Sequence, residues 1–205
     1  MADVKMIYAA EPTAAGSIFV GPLGTPAPAA ADDPSGAKAV LDVDFIDLGD
    51  VADDGFTEKS DRKIVKKRNF GGKVVKVLQT EFGLEYMLTF LESLNADVLK
   101  AIHGSKNVDT TAATSLHGTQ IVVRKNAKRL PHLSWVIDTI DSSLGADEDH
   151  PAIYRTYIPD GQITDTGDVK IVHTDTIEYK VTIEAFENDD IHVITWTDDG
   201  LRTGS

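Results

Sequence analysis

The chain of 205 residues contains no cysteine, so disulfide frameworks and thiolate metal sites are excluded. No apolar run approaches the roughly 20 residues that a membrane span needs. The first residues also lack the basic segment and following apolar stretch of a secretory signal. These absences favour a protein that is made and used in a reducing cytoplasm, or in an assembly built there.

Catalytic and cofactor motifs are missing as well. The sequence has no Gly-x-Ser-x-Gly elbow, no phosphate-binding Gly-x-x-x-x-Gly-Lys-Ser/Thr loop and no Gly-x-Gly-x-x-Gly fingerprint. Its six histidines lie far apart in the sequence, and no two have the spacing of a metal-ligand pair on a helix. We therefore predict no cofactor, no metal site and no enzymatic activity.

The formal net charge is −13 at pH 7. It argues against a nucleic-acid-binding protein, because binding would require positive groups that neutralise phosphates. An acidic surface is still compatible with a protein that DNA slides past, since like charge prevents the polyanion from sticking.

Basic charge is concentrated between Lys59 and Lys76. This segment carries eight basic residues and one acid, Asp61, so its net charge is +7 and the rest of the chain carries −20. The basic residues are Lys59, Arg62, Lys63, Lys66, Lys67, Arg68, Lys73 and Lys76. Two interpretations remain open: a solvated basic hairpin, or a positive arm that docks on an acidic patch of the next copy of the same protein.

The stretch from Phe82 to Gly104 joins two periodicities. Large apolar residues alternate from Phe82 to Phe90, which is typical of a half-buried strand. The spacing then becomes helical, with Asn95 as the predicted N-cap and Gly104 as the stop. The sequence therefore predicts one α-helix at about residues 95–103.

The remaining pattern indicates a chain of about nine or ten strands. Leu133 to Ile140 is apolar on both faces, which predicts a strand that is buried on both sides. Ala152 to Ile158 has the pattern of a strand that ends at the turn signature Pro159-Asp160-Gly161. Together these patterns predict a mainly β fold: a β-sandwich or partly closed barrel with one flanking α-helix and long irregular loops.

We expect a single domain over residues 1–205, with three parts that leave the regular fold. Residues 1–16 are small and polar and predict a flexible N-terminal arm. Residues 21–40 are rich in proline and predict an extended surface loop. Residues 56–80 predict a long, basic hairpin around the turn signal Gly71-Gly72.

Three stretches of the chain resemble a known family. They are GSIFVGPLGTPAP (Gly16 to Pro28), FIDLGDVADDGFTE (Phe45 to Glu58) and VVKVLQTEFGLEYMLTFLESLNADVLKAIHG (Val74 to Gly104). In these stretches the chain is similar to the major tail protein, or tail tube protein, of long non-contractile-tailed phages that infect actinobacteria. The resemblance covers the first half of the chain well and the second half loosely, and it includes no catalytic signature.

The resemblance implies a β-sandwich-like subunit of tail-tube type that forms homohexameric rings. Stacked rings would make a hollow tube through which the genome passes, without specific binding of DNA and without a membrane. The implied partners are further copies of the chain and the tape measure, tail terminator and distal tail proteins of the phage. The implied location is the virion tail, assembled in the host cytoplasm.

Strand alternation would turn apolar residues toward the core of the subunit and polar, mainly acidic residues toward the bore, so we expect an acidic-lined conduit. The lumen-facing candidates are Glu85, Thr89, Glu178, Thr182 and Glu184. The alternative is that these are ordinary solvent-facing residues of a sheet. The candidates for contacts between subunits are Arg62, Lys63, Lys66, Lys67, Arg68, Pro26 and Pro28.

Other functions remain open at this point. Another ring-forming phage protein, such as a tail terminator or a head decoration protein, would share much of this pattern. A terminator stops at one ring whereas a tube protein polymerises, so indefinite stacking separates the two. A carbohydrate-binding β-sandwich is less favoured, because only 7% of the chain is aromatic and most of these residues fall in apolar strand patterns.

Overall fold

The structure is a computed structural model that describes residues 6–14, 16–28, 36–145 and 150–201. The described residues form a mainly β protein with one α-helix, as the sequence predicts. The elements are β1 Glu11–Pro12, β2 Ile18–Pro22, β3 Ile46–Asp47, β4 Thr57–Arg68, β5 Val74–Phe90, α1 Ala96–His103, a 3-10 turn Ser105–Asn107, β6 Val108–Thr111, β7 Gln120–Val123, β8 Leu133–Gly145, β9 Pro151–Thr166, β10 Tyr179–Ala185 and β11 Ile194–Asp198.

Nine of the strands form one sheet in the order β3-β2-β8-β9-β10-β5-β4, with β1 beside β8 and β11 beside β9. All of its pairings are antiparallel. The strands β6 and β7 form a separate two-stranded sheet next to α1.

Strand β8 lies near the middle of this sheet and is buried on both faces, as its sequence predicts. Trp135 and Ile137 point into the main hydrophobic cluster, whereas Val136 between them belongs to a second cluster on the other face. Trp135 and Val136 are each 0% exposed. The sequence of β8 is apolar at consecutive positions because a hydrophobic cluster covers each of its two faces.

The main cluster lies between one face of the sheet and α1. Alternate residues of β5, namely Leu84, Tyr86, Leu88 and Phe90, contribute to it. The helix begins at its predicted N-cap, Asn95, whose side chain accepts a hydrogen bond of 2.9 Å from the backbone N–H of Asp97. The helix therefore begins where its capping residue predicts, and its apolar face packs on the sheet.

The segment after β3 nearly closes the sheet into a barrel. The backbone N–H of Ala52 donates to the carbonyl oxygen of Thr89 at 2.9 Å, and that of Leu91 donates to the carbonyl oxygen of Asp50 at 3.1 Å. These bonds connect the chain that follows β3 to the far end of β5. The architecture thus agrees with the predicted sandwich or partly closed barrel.

Strand β9 corrects one expectation. Pro159-Asp160-Gly161 does not end the strand but lies inside it, at a register shift against β8. The side-chain hydroxyl of Ser134 donates to the Pro159 carbonyl at 2.8 Å, and the indole N–H of Trp135 donates to the Gly161 carbonyl at 3.1 Å. The bulge removes the need for a proline N–H in the ladder, so the strand continues through a turn-like sequence.

Candidate assembly surfaces

The hairpin of β4 and β5 leaves the body of the protein. Its ladder runs from the pair Thr57↔Met87 to the pair Arg68↔Val74. On its other side, β5 pairs with β10 only from Leu84 onward, so farther out each hairpin strand has only the other as a neighbour. Every residue of β4 is exposed. We define the arm as residues 64–79, the outer part of this hairpin.

A tight turn presents one aromatic side chain at the tip of the arm. The backbone N–H of Lys73 donates to the side-chain oxygen of Asn69 at 2.9 Å, and the backbone N–H of Asn69 donates to the Lys73 carbonyl at 2.9 Å. Gly72 has φ of 82°, a left-handed conformation that favours glycine. Phe70, which follows Asn69 in this turn, is completely exposed.

The charges of the hairpin differ between its base and the arm. At the base, the Lys59 ammonium lies 2.8 Å from a Glu85 carboxylate oxygen, and Lys63 is paired with Glu81. The hydrogen bond to Glu81 raises the pKa of Lys63. The arm contains no acidic residue, but it has five basic ones: Lys66, Lys67, Arg68, Lys73 and Lys76. Its positive charge is therefore not neutralised within the arm.

Of the predicted contact residues on the hairpin, Lys66, Lys67 and Arg68 lie in the arm, whereas Lys63 already has its partner at the base. Arg62 also makes internal contacts. Its guanidinium carbon lies 4.3 Å from the centroid of the Phe82 ring, and its Nη1 donates to the side-chain oxygen of Gln79 at 3.0 Å. Arg62 and Lys63 thus stabilise the base of the hairpin, and the unpaired positive charge begins beyond them.

The arm also exposes large apolar side chains. Val75 is 61% exposed, and Ile64 and Val77 are each about half exposed. Two-stranded hairpins with such side chains on both faces are marginally stable in water unless another surface covers them. The arm therefore combines the two features of an interaction surface: uncovered apolar area and uncompensated charge of one sign.

Most lumen-facing candidates do share one face of the sheet. Glu184 lies directly opposite Glu85 across the β10–β5 ladder, Thr182 lies opposite Met87, and Thr89 lies opposite Lys180. These side chains are on the face of the sheet opposite the main cluster. We call this surface the polar face and define it by Glu85, Met87, Thr182 and Glu184.

Two candidates fit the polar face less well. Thr89 is on the same side but only 8% exposed, so it offers little surface. Glu178 precedes β10, and its carboxylate accepts a hydrogen bond of 2.9 Å from the Thr176 hydroxyl. The alternation from Ile177 to Phe186 predicts a longer strand than Tyr179–Ala185, the strand that forms.

The charge of the polar face is mixed rather than wholly acidic. Glu85 is paired with Lys59, and Lys180 lies on the same side of β10 as Glu184. Asp165 of β9 lies opposite Thr182. Like charges that face each other across strands are destabilising, and a neighbouring lysine offsets that repulsion. The alternation in the sequence predicts which residues share this face. It does not predict the lysines that lie beside them in the folded sheet.

The proline-rich region is held against the sheet by a buried arginine. Arg155 forms an ion pair with Asp138, and its Nη1 also donates to the carbonyl oxygen of Gly36 at 2.9 Å. Burial outweighs the pairing with Arg155 and raises the pKa of Asp138. Within the predicted loop 21–40, Pro26 is exposed but Pro28 is buried in the subunit. Of these two contact candidates, Pro26 therefore offers surface to a neighbouring subunit and Pro28 offers little. Residues 29–35 lie outside the described part of the chain.

The N-terminal region is not a free arm over its described part. The Tyr8 hydroxyl donates to the hydroxyl oxygen of Thr139 at 3.0 Å, and the Ala9 N–H donates to a carboxylate oxygen of Asp141 at 2.6 Å. The pair Glu11–Pro12 then forms β1 against β8. Small, polar residues predicted flexibility because they carry no periodic pattern, yet one tyrosine and a few backbone bonds fix this segment.

Sequence reasoning missed a groove of about 470 Å³ beside the main cluster. Its aromatic lining consists of Tyr8, Phe56, Tyr86 and Tyr154, and its acidic lining consists of Glu11, Asp50, Asp53 and Glu58. The residues come from distant parts of the chain, so no local motif marks them. At its floor the Tyr86 hydroxyl donates to Glu58 at 2.7 Å, and burial raises the pKa of that hydroxyl.

Among the described residues, no three His, Asp or Glu side chains are close enough to hold a metal ion together. No described helix is long and apolar enough to cross a membrane.

Comparison with known proteins fits this architecture. A search of curated proteins finds no match. The family model described as phage tail tube protein matches residues 9–204, which is nearly the whole chain. This family is structural, which indicates a non-enzymatic component of the virion tail that assembles with copies of itself and with other tail proteins. The match concerns the family and not a particular group of phages. The antiparallel β fold with one helix, its projecting arm and this match together place the chain in the phage tail tube protein family.

Proposed function

We propose that the protein forms homohexameric rings that stack into the tail tube, and that the tube is the conduit for the genome. The observation that carries this proposal is the arm, which bears five cations, no acidic residue to pair with them and several exposed apolar side chains. In a stacked assembly, each arm would be covered by the next subunit, so burial and charge pairing would favour addition at a growing end.

The polar face is the surface that we propose for the wall of the bore. It lies on the face of the sheet opposite the main cluster, and it carries Glu85 and Glu184 at directly opposed positions. Asp165 adds a third carboxylate against Lys59 and Lys180, so the net charge is weakly negative. Such a wall repels the DNA backbone while it gives DNA no cationic surface to bind.

The partners in this proposal are the tape measure, tail terminator and distal tail proteins, and assembly takes place in the host cytoplasm. A tube grows by repeated use of one interface, whereas a terminator or decoration protein stops after one layer. The arm favours repetition, because it lies on one part of the subunit and requires a complementary surface on another part.

Electron microscopy of concentrated protein tests the tube itself. We expect hollow tubes from the unchanged chain and none from the variant with Lys66→Glu, Lys67→Glu and Arg68→Glu. The matched control changes Lys125, Lys128 and Arg129 to glutamate; these exposed residues give the same change in net charge at another place. Thermal unfolding should be similar for both variants. Tubes from the arm variant, or an equal loss in the control, would contradict the proposed role of the arm.

A second test concerns the wall. Glu85→Gln and Glu184→Gln together should leave tube formation intact, because these side chains lie away from the main cluster. In a phage that carries both changes, DNA ejection should be slower, since repulsion along the bore is reduced. Normal ejection would assign the polar face to the outside of the tube.

A further inference from the structure

The groove is acidic, whereas the arm is basic. Four carboxylates line it and, among its described lining residues, there is no basic side chain. Two of them have bonds within the subunit: Glu58 accepts from Tyr86, and Glu11 accepts from the backbone N–H of Ser142 at 3.2 Å. The carboxylates of Asp50 and Asp53 form no ion pair with any side chain in the described part of the chain.

The apolar lining adds a second kind of complementarity. Phe56 is half-buried at the groove, and Tyr86 and Ile137 extend the lining to the main cluster. An aromatic side chain such as Phe70 would find aromatic and aliphatic neighbours there. Aromatic pairs in edge-to-face or offset contact are more favourable than their buried area alone indicates.

We propose that the tip of the arm, Phe70 flanked by Arg68 and Lys73, docks in the acidic groove of a second copy of the chain. This inference rests on the proposed tube function, because it specifies which surface of the neighbour receives the arm. Phe70 inserts between the aromatic side chains of the groove. Arg68 and Lys73 face the unpaired carboxylates of Asp50 and Asp53 at its rim, where charge complementarity fixes the orientation.

The occupant is a second copy because the arm cannot reach its own groove. Glu58 and Phe56 line the groove at the base of the hairpin, whereas Phe70 is at its far end. About ten residues of extended strand separate Glu58 from Arg68, a distance of roughly 30 Å at about 3.3 Å per residue. When the tip of one copy occupies the groove of the next, the two grooves are separated by this same distance. Docked neighbours should therefore repeat at about 30 Å from groove to groove.

The absence of cysteine allows a direct test with single thiols. One variant carries Gly71→Cys at the tip, where an added Cβ meets only ordinary contact distances, and the other carries Ala52→Cys in the groove. After mixing and mild oxidation, we expect a disulfide-linked heterodimer as the main cross-linked product. The control mixture pairs Gly71→Cys with Thr197→Cys, an exposed position on β11, and should give at least tenfold less product.

A set of charge-exchange variants provides the second part of the experiment. Asp50→Lys with Asp53→Lys should abolish the cross-link, and so should Arg68→Glu with Lys73→Glu. When all four changes are in each chain, the attraction is restored with reversed signs and the cross-link should return. Failure of the four-fold variant to recover, while it remains folded, would overturn the proposed pairing.

The outcomes separate this inference from the proposed function. Tubes by electron microscopy without the 71–52 cross-link would overturn groove docking and leave the tube function standing. A cross-linked product that never grows into tubes would support docking and contradict the tube function. If a thiol reagent cannot label the Ala52→Cys variant as an isolated subunit, the chain's own N-terminal residues fill the groove, and docking by a second copy is wrong.

Discussion

The two halves of β5 have similar β-forming sequences but different surroundings. From Leu84 to Phe90 the strand pairs with β10 on one side, β4 pairs with its other side as far as Met87, and its apolar side chains belong to the same cluster as the buried face of α1. From Val74 to Glu81 it has only β4, and most of its side chains are exposed. Val75 and Val77 are therefore as suited to burial as Leu88, but their own subunit does not cover them.

This difference shows where the subunit is complete and where it is not. A two-stranded hairpin is at best marginally stable alone, and exposed ion pairs such as Lys63–Glu81 contribute little to it. The inner half of β5 is stabilised by burial within the chain, whereas the outer half requires another molecule. A single strand thus contributes to folding at one end and to assembly at the other.

Truncation of the largest fully buried side chain should have the largest effect on the folded body. Trp135 is 0% exposed, and its indole N–H is bonded to the Gly161 carbonyl. Trp135→Ala should lower the free energy of unfolding by about 3–5 kcal/mol, because it leaves a cavity and an unpaired buried carbonyl. Urea unfolding followed by circular dichroism measures this loss.

Trp196→Ala is the matched control for that substitution. Trp196 is only partly buried, and it stacks on Tyr157 in the second cluster, with ring centroids 6.3 Å apart. Its removal should therefore cost less than the removal of Trp135. Equal losses would mean that the second cluster is as important to the body as the main one.

The part of the fold that the sequence predicts well is the part with clear periodicity. Alternation in β5, the N-cap Asn95 and the two apolar faces of β8 each reflect local burial, and each is confirmed. The Pro159-Asp160-Gly161 sequence misled because its conformation is decided by Ser134 and Trp135 on the neighbouring strand. A turn propensity is weaker than the hydrogen bonds that a bulge can satisfy.

Surfaces were predicted less completely than elements. The basic character of residues 56–80 is visible in the sequence, but the neutralisation of Lys59 and Lys63 depends on register, which brings Glu85 and Glu81 opposite them. The groove was not predictable, because segments near Tyr8, Phe56 and Tyr154 meet only in the folded chain. A local pattern indicates which side chains are exposed, whereas the partners of those side chains depend on tertiary contacts.

The N-terminal segment is held to the body of the subunit by a few hydrogen bonds, and its attachment should depend on pH. Hydrogen bonds from Ser143 and from the Ala9 N–H lower the pKa of Asp141 below its usual value of 3.8. The stabilisation is therefore present above that value and is lost as the pH falls through the lower pKa of the folded state. We expect the urea midpoint to decline between about pH 4 and pH 2 and this decline to be smaller in Asp141→Asn.

Asp53→Asn is the control for this pH dependence, since it removes an exposed carboxylate in a turn. Hydrogen exchange at the Ala9 amide gives a local measurement of the same event, because that amide donates directly to Asp141. If Asp141→Asn and Asp53→Asn have the same pH profile, Asp141 does not hold the N-terminal segment.

The smallest expected effect on the isolated subunit is at the tip of the arm. Phe70→Ala should change the free energy of unfolding by less than about 0.5 kcal/mol, because the ring is fully exposed and packs on nothing in its own subunit. Phe90→Ala, which removes a side chain of 0% exposure from the inner half of β5, should cost about 3–5 kcal/mol. Sedimentation at increasing concentration should then show the reverse order for assembly: Phe70→Ala stays folded but requires more protein to associate. If Phe70→Ala destabilises the monomer, the arm packs on its own subunit in solution, and the contrast between the two halves of β5 fails.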